Sequence, residues 1–199
     1  MRTLEEAALD ASTCTKCRLS QGRTQVVYGV GDPNADLMFI GEAPGFHEDK
    51  QGEPFVGAAG QLLNQLLSEI GIPREDVYIN NVILCRPPGQ PGPAPGRARR
   101  VQAVARRAIA IIDPAVVVTL GNWATRYILG RQVSISRVRG QRFPWNGRTV
   151  IPTFHTGGGP ATAEARPPNQ MTALRADFQE IRAALAERPE PAEEQLGLF

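Results

Sequence analysis

Apolar residues along this chain fall into short, strand-like runs set between longer stretches with helical spacing. The runs are "DLMFI" (36–40), "DVYINNVIL" (76–84) and "AVVVTLG" (115–121), followed by a hairpin-like segment, "SRVRGQRFPWNGRTVIPTF" (136–154). Between them, apolar positions recur three and four residues apart in "AAGQLLNQLLSEIG" (58–71), in 97–112 and in 122–129; further helices are expected over 3–12 and 169–187. Strands that are apolar at nearly every position are buried on both faces, and their alternation with helices makes a mostly parallel sheet. The pattern therefore predicts an α/β fold, a three-layer α/β/α sandwich around a mostly parallel four-stranded sheet. One domain is expected over 1–187, followed by a flexible Pro/Glu-rich tail, "RPEPAEEQLGLF", over 188–199.

Ligands of such sheets bind at the carboxyl ends of the strands. Four features fall on that rim: the Gly-rich loop "GEAPGFHEDKQGEPFVG" (41–57), Asn81, the loop after Gly121, and His155. The loop lacks the Gly-Lys-Ser/Thr ending of a P-loop and the G-x-G-x-x-G spacing of a dinucleotide site. Its carboxylates, Glu42, Glu48 and Asp49, would repel a phosphate. They suit a metal, a water molecule or a polar ring, and the loop alone leaves these three open.

Composition narrows the class. The chain has 199 residues, 42% hydrophobic and 21% charged, as expected of a single soluble domain. No stretch approaches the roughly 18 apolar residues of a membrane span. The first residues, "MRTLEEAALDAS", are acidic where a signal peptide is basic and then apolar, so a cytoplasmic protein is expected. The net charge of +2 conceals a cluster of Arg97, Arg99, Arg100, Arg106 and Arg107, which serves either phosphates or a solvated helix face. Three cysteines, Cys14 and Cys17 as C-x-x-C and Cys85 at a strand end, are too few for a disulfide framework and point to a metal or to nothing.

In order, C-x-x-C-x-L, "GEAPG-x-x-ED-x-x-G-x-PFVG-x-AG-x-LL", "YI-x-NV-x-x-CRPP", "LG" and a late His after an apolar strand resemble the family 4 uracil-DNA glycosylases over roughly residues 10 to 185. The resemblance implies hydrolysis of uracil from DNA in base excision repair, by a monomer associated with the nucleoid. It implies a 4Fe-4S cluster held by Cys14, Cys17 and Cys85. It also implies a uracil pocket in which Phe55 stacks on the base and Asn81 reads its edge, with Gly41 and Ala43 lining the site. Glu42 and Glu48 are the carboxylates that act on sugar and water, and His155 donates to uracil O2.

Two positions depart from that family. The fourth cluster cysteine is expected in the helix beginning "GRARRV", where Val101 stands. A 4Fe-4S cluster with a non-cysteine ligand, a 3Fe-4S form, a labile cluster and no cluster all stay open. The second departure follows His155: "HTGGGPATAEARPP" replaces His-Pro and the bulky residues that fill a vacated base stack, and three glycines supply no wedge. A uracil-DNA binder that traps its product, and a cluster-bearing structural module, are the alternatives to an enzyme. The tail's Gln195, Leu196, Leu198 and Phe199 resemble the bacterial sliding-clamp-binding peptide, which makes the clamp a second expected partner.

Overall fold

A computed structural model describes residues 3–88, 98–157 and 167–187, with backbone alone for 98–104. The elements are α1 (Leu4–Ser12), β1 (Val30–Gly31), β2 (Leu37–Gly41), α2 (Phe46–Gln51), α3 (Ala58–Glu69), β3 (Tyr78–Asn81), α4 (Ala98–Ile112), β4 (Val116–Leu120), α5 (Gly121–Leu129), α6 (Ile135–Val138), β5 (Phe143–Trp145), β6 (Arg148–Thr153) and α7 (Pro168–Ala186). They form one sheet in the order β1-β3-β2-β4-β6-β5. The inner four strands are parallel, and β1 and β5 add antiparallel edges.

The sheet thus has six strands where four were expected. The inner four are the expected ones; β5 lies in the segment read as hairpin-like, and β1 is too short to leave a pattern of its own. Strand β1 has two residues, and β5 is the first arm of a hairpin whose Trp145 pairs with Arg148. Between those partners, Asn146 and Gly147 both have positive φ, 49° and 79°. That is the two-residue turn whose twist matches its strands, and Asn-Gly is its preferred sequence.

Strands β2 and β4 are buried at all five positions, so each side chain meets one of two helical layers. On one face Leu37, Phe39 and Val118 pack with Leu63, Leu66 and Leu67 of α3 and with Leu174, Phe178 and Ile181 of α7. The rings of Phe39 and Phe178 stack at 5.9 Å. On the other face Met38, Ile40 and Val117 meet Ala105, Ala108 and Ile109 of α4 and Ala124 and Ile128 of α5. Helix α3 has no side-chain cap at Gly57. Burying its leucines contributes about 1.5–3 kcal/mol each, which outweighs the missing cap. Among the described residues, no helix is long and apolar enough to cross a membrane.

The end of β6 is tied down by a buried carboxylate. Thr153 Oγ1 donates to Asp177 Oδ2 at 2.6 Å, and Arg139 forks onto the same group at 3.0 and 2.7 Å while also donating to the Ala173 carbonyl. Gly140 N–H donates to the Pro152 carbonyl at 2.8 Å. Its positive φ of 68° brings it so close to Asp177 that a side chain there would collide with the carboxylate. Removing the carboxylate strands a partly buried guanidinium and a buried hydroxyl. We expect Asp177→Ala to cost about 3 kcal/mol in urea unfolding; an unchanged midpoint would contradict this role.

Candidate active site

The carboxyl ends of β2, β3, β4 and β6 carry Gly41, Asn81, the turn into Gly121, and Phe154–His155. Parallel pairing sets Gly41 directly beside Asn81, and Val82 N–H continues the ladder onto the Gly41 carbonyl at 2.9 Å. A Cβ built on Gly41 would strike both Asn81 Oδ1 and the ring of Phe55. The missing side chain is therefore what lets these two groups meet. Asn81 is 1% exposed, and its Oδ1 has no hydrogen-bond partner among the described residues. A buried carbonyl left unpaired costs about 1–3 kcal/mol, which a ligand N–H would recover.

Phe55 lies beneath this spot, 6% exposed and with a positive φ of 55°. A non-glycine residue in that region carries strain on the order of 1–3 kcal/mol, held here by its surroundings. Gly60 of α3 sits so close to the Phe55 carbonyl that any side chain there would overlap it. Arg74 donates to the Pro54 carbonyl at 2.9 Å. Across the pocket the ring of His155 runs nearly parallel to that of Phe55, 6.1 Å away at 26°. His155 Nδ1 accepts from Gly157 N–H at 2.8 Å. In a neutral imidazole this assigns the proton to Nε2, a donor. Gly121 (φ 87°) lets β4 turn past His155, since a Cβ added there would come within 3.1 Å of His155 Cβ.

The two expected carboxylates occupy different environments. Glu48 is 9% exposed, and its oxygens accept from Gly45 N–H (3.1 Å), Val56 N–H (3.1 Å) and Gly57 N–H (2.9 Å). It folds the loop back so that Phe55 is delivered beneath Gly41. Glu42 has no hydrogen-bond or ion-pair partner for its carboxylate among the described residues, and burial pushes its pKa above the usual 4.5. Its backbone carbonyl is fixed by Ile83 N–H at 3.0 Å. Glu42 is the free acid of this loop. Asp49, 1% exposed, accepts from Thr24 N–H at 2.9 Å and pins the N-terminal segment.

A family profile for the uracil DNA glycosylase superfamily matches residues 28–179. A type-4 uracil-DNA glycosylase of Sulfurisphaera tokodaii is 42% identical over 191 residues, spanning 92% of this chain and 84% of the relative. Similar proteins carry the same description in Thermotoga maritima (49% identical; 71% and 75% covered) and Archaeoglobus fulgidus (39%; 91% and 92%). The chain belongs to the type-4 uracil-DNA glycosylases.

The type-4 family typically carries a 4Fe-4S cluster. Cys85 and Cys17 pack against the second core face. Burial, chiefly, raises the Cys85 thiol pKa, the Arg23 guanidinium opposes it, and the thiols of Cys17 and Cys14 add to the rise. Arg23 donates to Cys85 Sγ at 3.2 Å and to the Ser12 carbonyl at 3.3 Å. No group of three His, Cys, Asp or Glu among the described residues is arranged to hold a metal ion, and the sequence has no fourth cysteine. The donor set does not complete a four-cysteine cluster. The Arg23 guanidinium links the N-terminal segment to Cys85.

Val101 lies within α4, its side chain outside the described residues, as are Gly158, Gly159 and the tail's Gln195, Leu196, Leu198 and Phe199. Of the arginine cluster, Arg106 sits 5.4 Å over the Tyr127 ring and Arg107 pairs with Asp10 at 4.0 Å. Sequence reasoning missed the loop-forming direction of Glu48 and the Arg23 bridge. A glutamate three residues after Gly45 is half of a capping box and could have signalled the first.

Three results are expected. Asn81→Ala and Glu42→Ala should each slow excision at least tenfold in single turnover, and unchanged rates would overturn the assignment. The rate should also fall as pH drops through the raised pKa of Glu42, an acid limb above pH 4.5 that Glu42→Gln removes. A raised folded pKa means the charged form is penalised, so wild-type stability falls as pH rises through it. Glu42→Gln should therefore melt higher than wild type at pH above that limb.

Proposed function

We propose that this protein hydrolyses the N-glycosidic bond of deoxyuridine flipped out of DNA, releasing uracil and leaving an abasic site for base excision repair. The observation that carries this reading is the unpartnered, buried Asn81 Oδ1 facing Phe55 across Gly41. Uracil lies on Phe55 and gives its N3–H to that oxygen, while the Asn81 amide donates to O4. Cytosine presents the opposite pattern at both atoms and would leave buried polar groups unpaired, the circumstance that yields large discrimination.

As the C1′–N1 bond lengthens, its electron pair passes to the base, and negative charge grows on uracil O2. His155 Nε2–H donates there in its neutral form. Positive charge grows on the sugar, where the Glu42 carboxylate stabilises it, orients the attacking water and takes the water's proton as the new C1′–O bond forms. Glu48 acts through the loop, holding Phe55 and Gly57 in place. Gly41 and Ala43 leave room for the ring. The mechanism routes no step through iron.

Flipping costs a few kcal/mol and least where the base is already unpaired. The residues after His155, Thr156 and three glycines, offer no bulky wedge. Uracil should therefore be excised faster from single strands or mismatches than from a U:A duplex. Alkali cleavage of the abasic product on a denaturing gel measures both rates. Equal rates would contradict the ranking, and a denaturation-resistant protein–DNA band in place of cleavage would favour covalent trapping.

We further propose that the enzyme works as a cytoplasmic, nucleoid-associated monomer whose residues 188–199 tether it to a bacterial sliding clamp. Gln195 sets the peptide's direction, and Leu196, Leu198 and Phe199 supply the apolar anchors. Tethering raises the effective concentration on newly made DNA. A peptide of 188–199 should bind the cognate clamp with micromolar Kd, about 8 kcal/mol, and lose binding when Leu198 and Phe199 become alanine. Binding that survives this change would overturn the proposal.

A further inference from the structure

Helix α2 reads FHEDKQ, which on paper is slightly acidic. Its surface is not. Glu48 and Asp49 are 9% and 1% exposed, both turned inward onto backbone N–H groups. What faces solvent is Phe46, His47, Lys50 and Gln51. Phe46 is 53% exposed and belongs to neither core cluster. The Arg86 guanidinium lies 5.0 Å over its ring, Lys50 Nζ 6.0 Å, and the His47 ring meets it edge-on at 5.5 Å.

This group stands at the pocket's lip. His47 Cδ2 comes within 3.8 Å of where a Cβ on Gly57 would lie, two residues beyond Phe55. Arg86 arrives from the other wall, just after the segment whose Ile83 N–H holds the Glu42 carbonyl. A strand whose uracil occupies the pocket must leave across one of these walls. An exposed ring with cations around it matches single-stranded nucleic acid, whose bases offer a π-face and whose backbone offers anions. A single ring among cations is a poor match for an apolar protein surface.

We propose that Phe46 is a second stacking platform, taking the unpaired base next to the uracil, while Arg86 and Lys50 hold the flanking phosphates. The inference rests on the glycosylase reading and assigns the role of holding open DNA to the 41–57 loop.

The test uses the full chain and short single-stranded oligonucleotides bearing one uracil. In matched oligonucleotides the 5′ or 3′ neighbour of the uracil is replaced by an abasic spacer. Affinity is read with a non-cleavable fluorinated deoxyuridine, and excision in single turnover. Removing one neighbouring base should weaken wild-type binding about tenfold. Phe46→Ala should bind the intact oligonucleotide about tenfold more weakly and no longer respond to the spacer; Phe46→Tyr should behave as wild type. Arg86→Ala and Lys50→Ala should each lower the salt-dependence slope by about 0.7. Wild-type affinity in Phe46→Ala, or a retained spacer penalty, would overturn the platform while leaving the glycosylase reading intact. No uracil release by wild type from any oligonucleotide would sink that reading, and the platform with it.

Discussion

The register between β2 and β3 fixes where every group of the pocket can stand. Pairing Gly41 with Asn81 brings an amide against a backbone that has no side chain, and the Phe55 ring fills the remaining side. Side chains alternate along a strand, so a slip of one residue would turn Asn81 to the opposite face and bring Asn80 in its place. The register is locked by burial: Leu37 and Phe39 must face α3 and α7 while Met38 and Ile40 face α4 and α5. Backbone pairing past the strand ends, from Val82 and Ile83 to Gly41 and Glu42, carries the same register into the 41–57 loop.

That loop divides its acids by environment. Three backbone N–H groups hold the Glu48 carboxylate in place. Glu42 is partly buried with no partner among the described residues, and burial lifts its pKa. A site needs a carboxylate that is costly to charge and free to respond when positive charge appears on the sugar. The same desolvation that tunes Glu42 costs folding stability.

The inner four strands and the helices over both faces were legible because doubly buried strands read as unbroken apolar runs. Gly41, Asn81 and His155 could be placed on one rim for the same reason, since each lies in or just after such a run. Strand β1 was not legible, because two residues carry no periodicity; β5 was read only as part of a hairpin-like segment, and α2 was hidden inside a loop rich in glycine. The inward direction of Asp49 could not be read from FHEDKQ, where it looks like a surface residue; that of Glu48 had only its spacing from Gly45 as a signal. Arg23 meeting Cys85 across 62 positions leaves no local trace at all. The cysteines were read by resemblance to a cluster-bearing family; in this chain the Arg23 guanidinium donates to the Cys85 sulfur.

The most direct measurement is a crystal structure of Glu42→Gln with a uracil-containing oligonucleotide. The account places uracil N3 about 2.7–3.2 Å from Asn81 Oδ1, the ring stacked on Phe55, and O2 within hydrogen-bond reach of His155 Nε2. Uracil bound with its N3 edge turned away from Asn81, or outside the pocket over Gly41, would contradict it.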